Sequence, residues 1–270
     1  MKNNVRVAFL GSRPLGKYAL ELLHSYDNVE IVAVITREKH DTAWWDQDPD
    51  DLGHKFPQVE LEDLKSIDFD LGVSINYWKI IDGETINRPK LGFINLHHSH
   101  NLYLRGRDMT SHAILNARKS GIWHHGTCLH YTDDGLDTGP VIASHACDID
   151  ENDTSWTLFD KTEKIGRELL EEWLPRVLKA KLPTCKPSEN NPIQLRSGLS
   201  REIELDNKTS LEIYDFVRAF DFNNLFEPAY YIDEFGKKIY LTTSKKFGQK
   251  ILINVDEDKN VYYNSLYKEV

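Results

Sequence analysis

Strand-like apolar runs alternate with helix-like segments along the first two-thirds of the sequence. Val5–Leu10 and Val29–Ile35 are apolar runs of strand length, a pattern typical of strands buried on both faces of a sheet. Between them, Pro14 suits the first turn of a helix that we expect to end near Tyr26. Further strands are expected at 69–75, 92–96, 125–131 and 141–147, a short helix or turn at 77–86, and helices at 109–119 and 154–179. This order predicts an α/β fold, a Rossmann-like and mostly parallel sheet with helices on both faces.

The composition changes in the last third of the chain. Three prolines and an Asn-Asn pair cluster between residues 183 and 192, which is typical of a linker. Beyond them we expect a helix over 210–220 and a hairpin of strands 229–232 and 238–242, with Gly236 at its turn. The sequence therefore predicts a large domain over 1–182, a linker over 183–200 and a small strand-containing domain over 201–270.

The charge of the chain limits its partners. It carries 33 lysines and arginines against 43 aspartates and glutamates, a formal net charge of −10. Proteins that bind DNA or tRNA usually present a basic face, so this balance disfavours nucleic acid. The first apolar run is too short for a signal peptide and no run reaches the length that spans a bilayer, which predicts a cytoplasmic protein. Cys128, Cys147 and Cys185 form no CxxC pair and are expected to be reduced thiols.

The first loop, Gly11–Gly16, reads Gly-Ser-Arg-Pro-Leu-Gly. It is not the GxGxxG fingerprint of dinucleotide-binding proteins, and Pro14 stands where that fingerprint needs backbone freedom. A nicotinamide-dependent reductase is therefore disfavoured. Two interpretations stay open: an anion such as a diphosphate binds at the start of the helix, or the loop is a plain strand-to-helix turn.

A polar strand end follows Gly92. Alternation along the strand places Asn95 and His97 on one face, with His98 on the other. Ligands of open parallel sheets bind at the carboxyl ends of the strands, where the amide can donate to an oxyanion and the imidazole can take a proton. The alternative is a buried Asn and His that are satisfied by backbone groups.

An acidic loop follows the strand that begins at Gly126-Thr127. Asp137 stands between Gly135 and Gly139, where the backbone can turn tightly. A carboxylate at this position can orient an imidazole or relay a proton. Taken alone, such Asp-Gly loops are also ordinary turns.

Eleven histidines raise the question of a metal site. His97 and His98 are adjacent, as are His124 and His125, and neighbouring strand residues point to opposite faces, so each pair supplies one ligand at most. The sequence contains no HExxH or cysteine-rich pattern. We therefore expect no catalytic metal.

Two further segments have open roles. Trp44-Trp45 could stack on a base or cover a cofactor, or could anchor its own loop by burial. Lys79, after Tyr77-Trp78, could reach phosphate groups or be a solvated lysine.

Taken together, these segments resemble the formyltransferase family, which includes methionyl-tRNA, glycinamide ribonucleotide and sugar N-formyltransferases. The family's hallmark is an Asn-x-His at a strand end, a serine-containing loop that ends in Arg-Gly, a Gly-Thr strand and a Leu-Asp-x-Gly loop. An Arg-Ala…Pro-Ala-aromatic segment follows its catalytic domain. The matching residues, which extend over nearly the whole chain, are Asn95-Leu96-His97, Ser99, Arg105-Gly106, Gly126-Thr127, Leu136–Gly139, Val217–Phe220 and Pro228–Tyr230.

The chain departs from the family in the loop after the histidine. The family usually has His-Pro-Ser and then Leu-Pro, whereas this chain has His-His-Ser-His-Asn-Leu over His97–Leu102, without either proline. This difference indicates a loop that is reshaped around its substrate.

The resemblance implies an enzyme that takes N10-formyltetrahydrofolate as its cosubstrate and formylates an amine by direct attack, without a metal. It implies a catalytic set of Asn95, His97 and Asp137: the amide and the protonated imidazole stabilise the oxyanion, and the carboxylate holds the imidazole and assists proton transfer to N10. No covalent enzyme intermediate is needed. The residues expected to contact the folate are Ser74, Asn76, Tyr77, Trp78, Thr132, Asp133 and Asp134.

Within the family, the sugar N-formyltransferases fit the sequence best. They combine this domain with a short strand-rich tail that is often used in dimerisation, and usually act on dTDP- or UDP-linked 3- or 4-amino sugars, which implies a homodimer here. A methionyl-tRNA formyltransferase would need a basic surface and a longer tail. A noncatalytic sugar-nucleotide binder is a further alternative, which the intact catalytic set disfavours. The expected acceptor contacts are Ser12, Arg13, Lys79, Arg105 and Met109.

Overall fold

The computed structural model describes residues 4–36, 55–187, 193–194, 198–223, 225–247, 250–256 and 261–262. They belong to two compact units. The first comprises Met1–Arg105, Gly126–Ala146 and Thr162–Pro192, and the second comprises Gly106–His125, Cys147–Lys161 and Ile193–Val270. The Trp44-Trp45 segment lies outside the described residues. The division at residues 182 and 200 stays a prediction.

The secondary structure follows the alternation seen in the sequence. The helices are α1 (Arg13–His24), α2 (Gly83–Ile86), α3 (Met109–Ser120), α4 (Ser155–Val177) and α5 (Ser210–Phe220). The strands are β1 (Val5–Gly11), β2 (Val29–Ile35), β3 (Leu71–Ile75), β4 (Phe93–His97), β5 (Arg105–Gly106), β6 (His124–Tyr131), β7 (Val141–Asp148), β8 (Ile193–Gln194), β9 (Ala229–Ile232), β10 (Lys238–Phe247), β11 (Lys250–Asp256) and β12 (Val261–Tyr262).

Six strands form the main sheet, in the order β2-β1-β3-β4-β6-β7. β1 is parallel to β2 and β3, and β3 is parallel to β4, whereas β4 and β6 are antiparallel. β3 is buried along its whole length, as expected for an apolar strand that is covered on both faces. The predicted α/β fold with a mostly parallel sheet is confirmed.

The register between β4 and β6 determines which polar side chains meet. It opposes Asn95 to His130. Two positions further along β4, it opposes His97 to Cys128. Because directly opposed residues of an antiparallel pair share one face of the sheet, Asn95 and His130 lie side by side.

The second unit has a core of its own, formed by α5 and a four-stranded antiparallel sheet in the order β12-β11-β10-β9. α5 begins with a capping box: the Thr209 hydroxyl accepts from the Glu212 N–H, and the Glu212 carboxylate accepts from the Thr209 N–H. The apolar face of the helix then packs on the sheet. The buried residues of this core include Ile213, Tyr214, Val217, Phe220, Leu241, Ile251 and Ile253.

The predicted and observed elements differ mainly at their ends. The C-terminal hairpin is confirmed, with Gly236 at a φ of +77° in its turn. The helix expected within 77–86 is confined to α2, where the Asp82 carboxylate caps the first turn. β11 was missed, although Ile251 and Ile253 alternate into the core as strand residues should.

Candidate active site

The predicted catalytic residues come together in the first unit. Asn95 and His97 lie two positions apart in β4, so their side chains share one face of the sheet. Asp137 lies in the loop between β6 and β7, at a φ of +50° that residues other than glycine seldom adopt. Its Oδ2 is 3.6 Å from His97 Nδ1, and each of the two side chains is only 10% exposed. The structure therefore brings together the carboxylate and the imidazole that the sequence analysis paired.

The two ring nitrogens of His97 face different oxygen atoms. Nε2 donates to the carbonyl oxygen of Leu104 at 3.0 Å, and the Leu104 N–H donates to Ser99 Oγ at 2.7 Å. These bonds fix the orientation of the His97 ring, and Nε2 must carry a proton because a carbonyl oxygen can only accept. Nδ1, which faces Asp137, is therefore the nitrogen that can take and release one. When it does, the carboxylate stabilises the charged ring.

His130, which the sequence analysis did not select, completes the cluster. Its Nδ1–H donates to the Tyr131 carbonyl oxygen at 2.8 Å, and its Nε2 accepts from the Asn95 side-chain amide at 3.1 Å. Burial lowers the pKa of His130 to about 4, although the Asp137 carboxylate, 3.9 Å away, favours the charged form. A neutral His130 keeps Nε2 as an acceptor, which selects one orientation of the Asn95 amide.

We call Asn95, His97, His130 and Asp137 the strand-end cluster. Two imidazoles flank one carboxylate in it, yet their surroundings differ: His130 is buried as a neutral acceptor, whereas His97 has an oxygen atom beside each nitrogen. Neighbouring titratable groups in such different environments are typical of acid–base catalysis. The cluster can hold a proton at His97 Nδ1 and donate a hydrogen bond from Asn95.

Buried polar atoms without hydrogen-bond partners occur at the predicted cosubstrate positions. Among the described residues, Asn76 Nδ2, the Tyr77 hydroxyl and Thr132 Oγ1 are such atoms. Ser74 is buried in β3, and the Trp78 ring lies 4.8 Å from the Tyr77 ring. Burial raises the pKa of Tyr77 to about 12, so its hydroxyl remains a donor. Because unsatisfied buried polar groups are costly, a polar ligand that supplies their partners would be stabilised here.

The two acidic residues predicted to contact the folate have other surroundings. Asp133 Oδ1 accepts from the Gly135 N–H at 3.1 Å and from Thr138 Oγ1 at 2.6 Å, so this carboxylate shapes its own loop. Asp134 is exposed, and its carboxylate lies against the backbone of Gly83 at the start of α2. Gly83 has no side chain and therefore leaves room for the Asp134 carboxylate, with which a Cβ atom at this position would clash.

The predicted acceptor contacts lie at several places. Ser12 Oγ donates at 2.7 Å to a carbonyl oxygen in the loop after β3, which ties the first loop to the cosubstrate loop. Arg13 has a left-handed backbone, with a φ of +68°. Lys79 is exposed and Arg105 is half-buried. Met109 is buried at the first position of α3, in the second unit.

Two absences apply to the part of the chain that the structure describes. In those residues, no group of three or more His, Cys, Asp or Glu side chains is arranged to hold a metal ion. None of the helices described there is both long and apolar enough to span a bilayer.

Known proteins match the part of the chain that carries the cluster. A family model described as formyl transferase matches residues 5–178, from β1 to the end of α4. The methionyl-tRNA formyltransferase of Fusobacterium nucleatum is 31% identical over 161 residues, which are 59% of this chain and 50% of that protein. The chain spans about half the length of the curated relatives it matches.

Solved structures match a larger share of the chain. A 4-N formyltransferase from Francisella tularensis superposes with a TM-score of 0.74 at 20% identity, over 91% of this chain and 99% of that one. An N-formyltransferase from Helicobacter canadensis, solved with folinic acid and dTDP-3-aminofucose, gives a TM-score of 0.68 at 21% identity, over 92% of this chain and 95% of that one. At these identities the likeness shows a common fold.

Proposed function

The chain belongs to the formyl transferase family, and on that basis we propose that it transfers the formyl group of N10-formyltetrahydrofolate to the amine of a nucleotide-linked amino sugar. The acceptor we favour is a dTDP-linked 3- or 4-amino deoxysugar. The observation that carries the proposal is the strand-end cluster, in which contacts link an amide donor, two imidazoles and a carboxylate. The Asn95 amide lies 3.1 Å from His130, and the Asp137 carboxylate lies 3.9 Å from His130 and 3.6 Å from His97.

Formyl transfer to an amine needs an oxyanion donor and a proton acceptor. The neutral amine attacks the formyl carbon, so a C–N bond forms and the carbonyl electrons move to oxygen. In our proposal, an N–H of the Asn95 amide donates to this oxyanion. His97 Nδ1 accepts the proton that the amine loses, and Asp137 stabilises the resulting imidazolium.

The same residues complete the transfer. As the tetrahedral intermediate collapses, the bond from the carbonyl carbon to N10 breaks, and the proton on His97 Nδ1 passes to N10. Asp137 keeps the ring oriented, since Leu104 already holds the opposite nitrogen. The proton taken from the amine thus reaches the leaving group, and no covalent enzyme intermediate is required.

His130 supports the donor side of this reaction. The Asn95 amide gives one N–H to His130 Nε2, which leaves its second N–H for the oxyanion. A protonated His130 would have no acceptor at Nε2 and would favour a flipped amide, whose oxygen would then repel the oxyanion. The lowered pKa of His130 keeps the ring neutral and the donor in place.

The loops after β3 and β6 fit the proposed cosubstrate. When bound, N10-formyltetrahydrofolate supplies the formyl group, and its pterin carries ring nitrogens and amino groups that need partners. Asn76, Tyr77 and Thr132 each have a buried polar atom that lacks one in the described residues. These residues would hold the folate, with Trp78 beside Tyr77 as an aromatic wall.

The choice of acceptor rests on charge. A chain with a formal net charge of −10 is repelled by a polyanion such as tRNA, whereas a sugar nucleotide presents only a diphosphate. Arg13, Lys79 and Arg105 are candidate donors to that diphosphate. Ser12, which the sequence also suggested, gives its hydroxyl proton to the Asn76 carbonyl oxygen. The Helicobacter canadensis protein was solved with a dTDP-linked amino sugar, which supports the same acceptor class here.

Methionyl-tRNA is the second candidate acceptor, because curated relatives with that activity in their names match 59% of the chain at 31% identity. The acidic balance of the chain disfavours it. A noncatalytic sugar-nucleotide binder is a third reading, which the strand-end cluster disfavours. Pairing of two subunits through the strands of the second unit stays a prediction, and a strictly monomeric mass at micromolar concentration would refute it.

The proposal is tested with purified protein, N10-formyltetrahydrofolate and a panel of dTDP- and UDP-linked amino sugars. We expect mass spectrometry to show the gain of one formyl group on a member of the panel. dTDP or UDP should also raise the melting temperature, because a ligand that binds only the folded state stabilises it. Formylation of methionyl-tRNA with no turnover of any sugar nucleotide would overturn the acceptor class, and a lack of transfer to either would overturn the activity.

A further inference from the structure

His98 occupies the face of the sheet opposite to the strand-end cluster. It directly follows β4, and its ring enters a buried polar site formed by β6 and α4. Nδ1 lies 3.3 Å from Thr127 Oγ1, and Nε2 lies 3.0 Å from Glu163 Oε1. The side chains of His98 and Glu163 are each 13% exposed. The mechanism proposed above uses none of these three residues.

The hydrogen bonds of Thr127 determine the state of the His98 ring. Thr127 Oγ1 donates its single proton to the Thr162 carbonyl oxygen at 2.9 Å, so it can only accept from His98. His98 Nδ1 must therefore carry a proton. Nε2 then faces a carboxyl oxygen of Glu163 at 3.0 Å, so one proton must lie between the two atoms, because two bare lone pairs would repel each other. The two atoms are within ion-pair distance but lack the alignment of a straight hydrogen bond.

A mostly buried polar pair of this kind is a weak source of stability, since the cost of removing its groups from water offsets much of their attraction. The pair does, however, fix the position of the His98 ring. His98 is joined to His97 by one peptide bond, and the next residue, Ser99, accepts from the Leu104 N–H in the segment whose carbonyl holds His97 Nε2. Whatever fixes the His98 ring therefore fixes the backbone from which the His97 ring projects.

We propose that His98 and Glu163 form a positioning pair, which anchors the end of β4 to α4 and thereby holds His97 in its reactive orientation. The proposal rests on the formyl-transfer function above. Neither residue touches the reacting atoms, so the pair acts through His97. Small displacements of a reacting group are costly, with about 1 Å worth up to roughly 10²-fold in rate.

The test compares three variants of α4 by steady-state kinetics with both substrates. Glu163→Met keeps the length of the side chain but removes the partner of His98, and should lower kcat by roughly 10-fold to 10²-fold while KM for both substrates is retained. Glu163→Gln should restore most of kcat, because an amide can still hydrogen-bond the ring. Glu172→Met is the matched control, since Glu172 is exposed and pairs with Arg176 on the same helix.

A second variant keeps the test decisive if Glu163→Met fails to fold. His98→Asn retains a donor beside Thr127 but is too short to reach Glu163, and should show the same loss of kcat with KM retained. A kcat for Glu163→Met or His98→Asn equal to that of Glu172→Met would overturn the pair. Wild-type protein that transfers no formyl group would instead overturn the function itself, so the two failures are distinguishable.

Discussion

Two buried polar clusters, one in each unit, are built in opposite ways. In the strand-end cluster, the Asp137 carboxylate meets imidazole nitrogens at 3.6 and 3.9 Å. In the second unit, Asp215 is paired with Arg118 at 2.7 Å and with Arg218 at 2.9 Å, and Asp153 with Lys161 at 2.6 Å. We call these five residues the arginine cluster; its two arginines are permanent cations.

The difference indicates what each cluster does. Guanidinium groups are permanently charged, so a carboxylate that they hold at short range has partners that cannot exchange protons in the physiological range. In the strand-end cluster the carboxylate instead meets two imidazoles at longer range, and an imidazole is a side chain that can accept and release a proton. We therefore expect the arginine cluster to determine stability and the strand-end cluster to determine rate.

The largest effect should come from His97→Gln. The Gln amide can still donate to Leu104, but it cannot take a proton, so kcat should fall by roughly 10²- to 10⁴-fold with little change in unfolding free energy. Steady-state kinetics and urea melts measure the two quantities. His24→Gln, at the exposed end of α1, is the control. Turnover near the wild-type rate in His97→Gln would show that His97 is not the proton acceptor and that the strand-end cluster does not determine rate.

The converse variant is Asp215→Asn in the arginine cluster. Within the described residues it leaves the guanidinium of Arg218, which is 1% exposed, without a charged partner, and it should lower the free energy of unfolding by about 3–5 kcal/mol. kcat per folded molecule should be unchanged. Glu227→Gln, which removes the exposed partner of Lys238, should cost at most about 1 kcal/mol. An equal cost for the two variants in urea melts would contradict the structural role.

The strand-end cluster should still affect stability at acid pH through His130. Burial lowers its pKa to about 4 in the folded protein, from 6.5 in the unfolded chain. The neutral ring thus contributes stability that is present above pH 6.5 and is lost as the pH falls towards 4, by up to about 3 kcal/mol. His130→Gln should flatten this part of the stability curve, as measured by urea melts at several pH values. Equal slopes in wild type and variant would refute the buried neutral ring.

Asn95→Ala separates the role of the amide donor from that of the proton acceptor within the strand-end cluster. Loss of one oxyanion donor should lower kcat by about 10²-fold, less than loss of the proton acceptor. Asn87→Ala, at the exposed carboxyl end of α2, is the control for kinetics. If Asn95→Ala retained near-full turnover, the amide would have no part in the reaction.

Local patterns were sufficient to predict part of this site. Strand alternation placed Asn95 and His97 on one face, because the side-chain period of a strand depends on nothing outside it. The approach of Asp137 to His97 could only be inferred from the family resemblance. It depends on a left-handed residue within the loop, which a sequence pattern does not specify.

His130 shows where the sequence analysis fell short. The strand that contains His130 was predicted, but its direction relative to β4 was not. The contact with Asn95 requires the antiparallel register of β4 and β6. Register depends on partners that are distant in sequence. The pairing of His98 with Glu163 was missed for the same reason, since α4 begins more than fifty residues after β4.

In the proposed function, the strand-end cluster transfers a formyl group to a sugar nucleotide. A competition experiment tests both the cluster and the acceptor: wild type and Asp137→Asn are given N10-formyltetrahydrofolate with an isotopically labelled formyl group, together with a dTDP-linked amino sugar and methionyl-tRNA. We expect label in the sugar nucleotide alone, at a rate that falls by up to about 10⁴-fold in Asp137→Asn. Label in the tRNA, or equal rates for the two proteins, would contradict the proposed function.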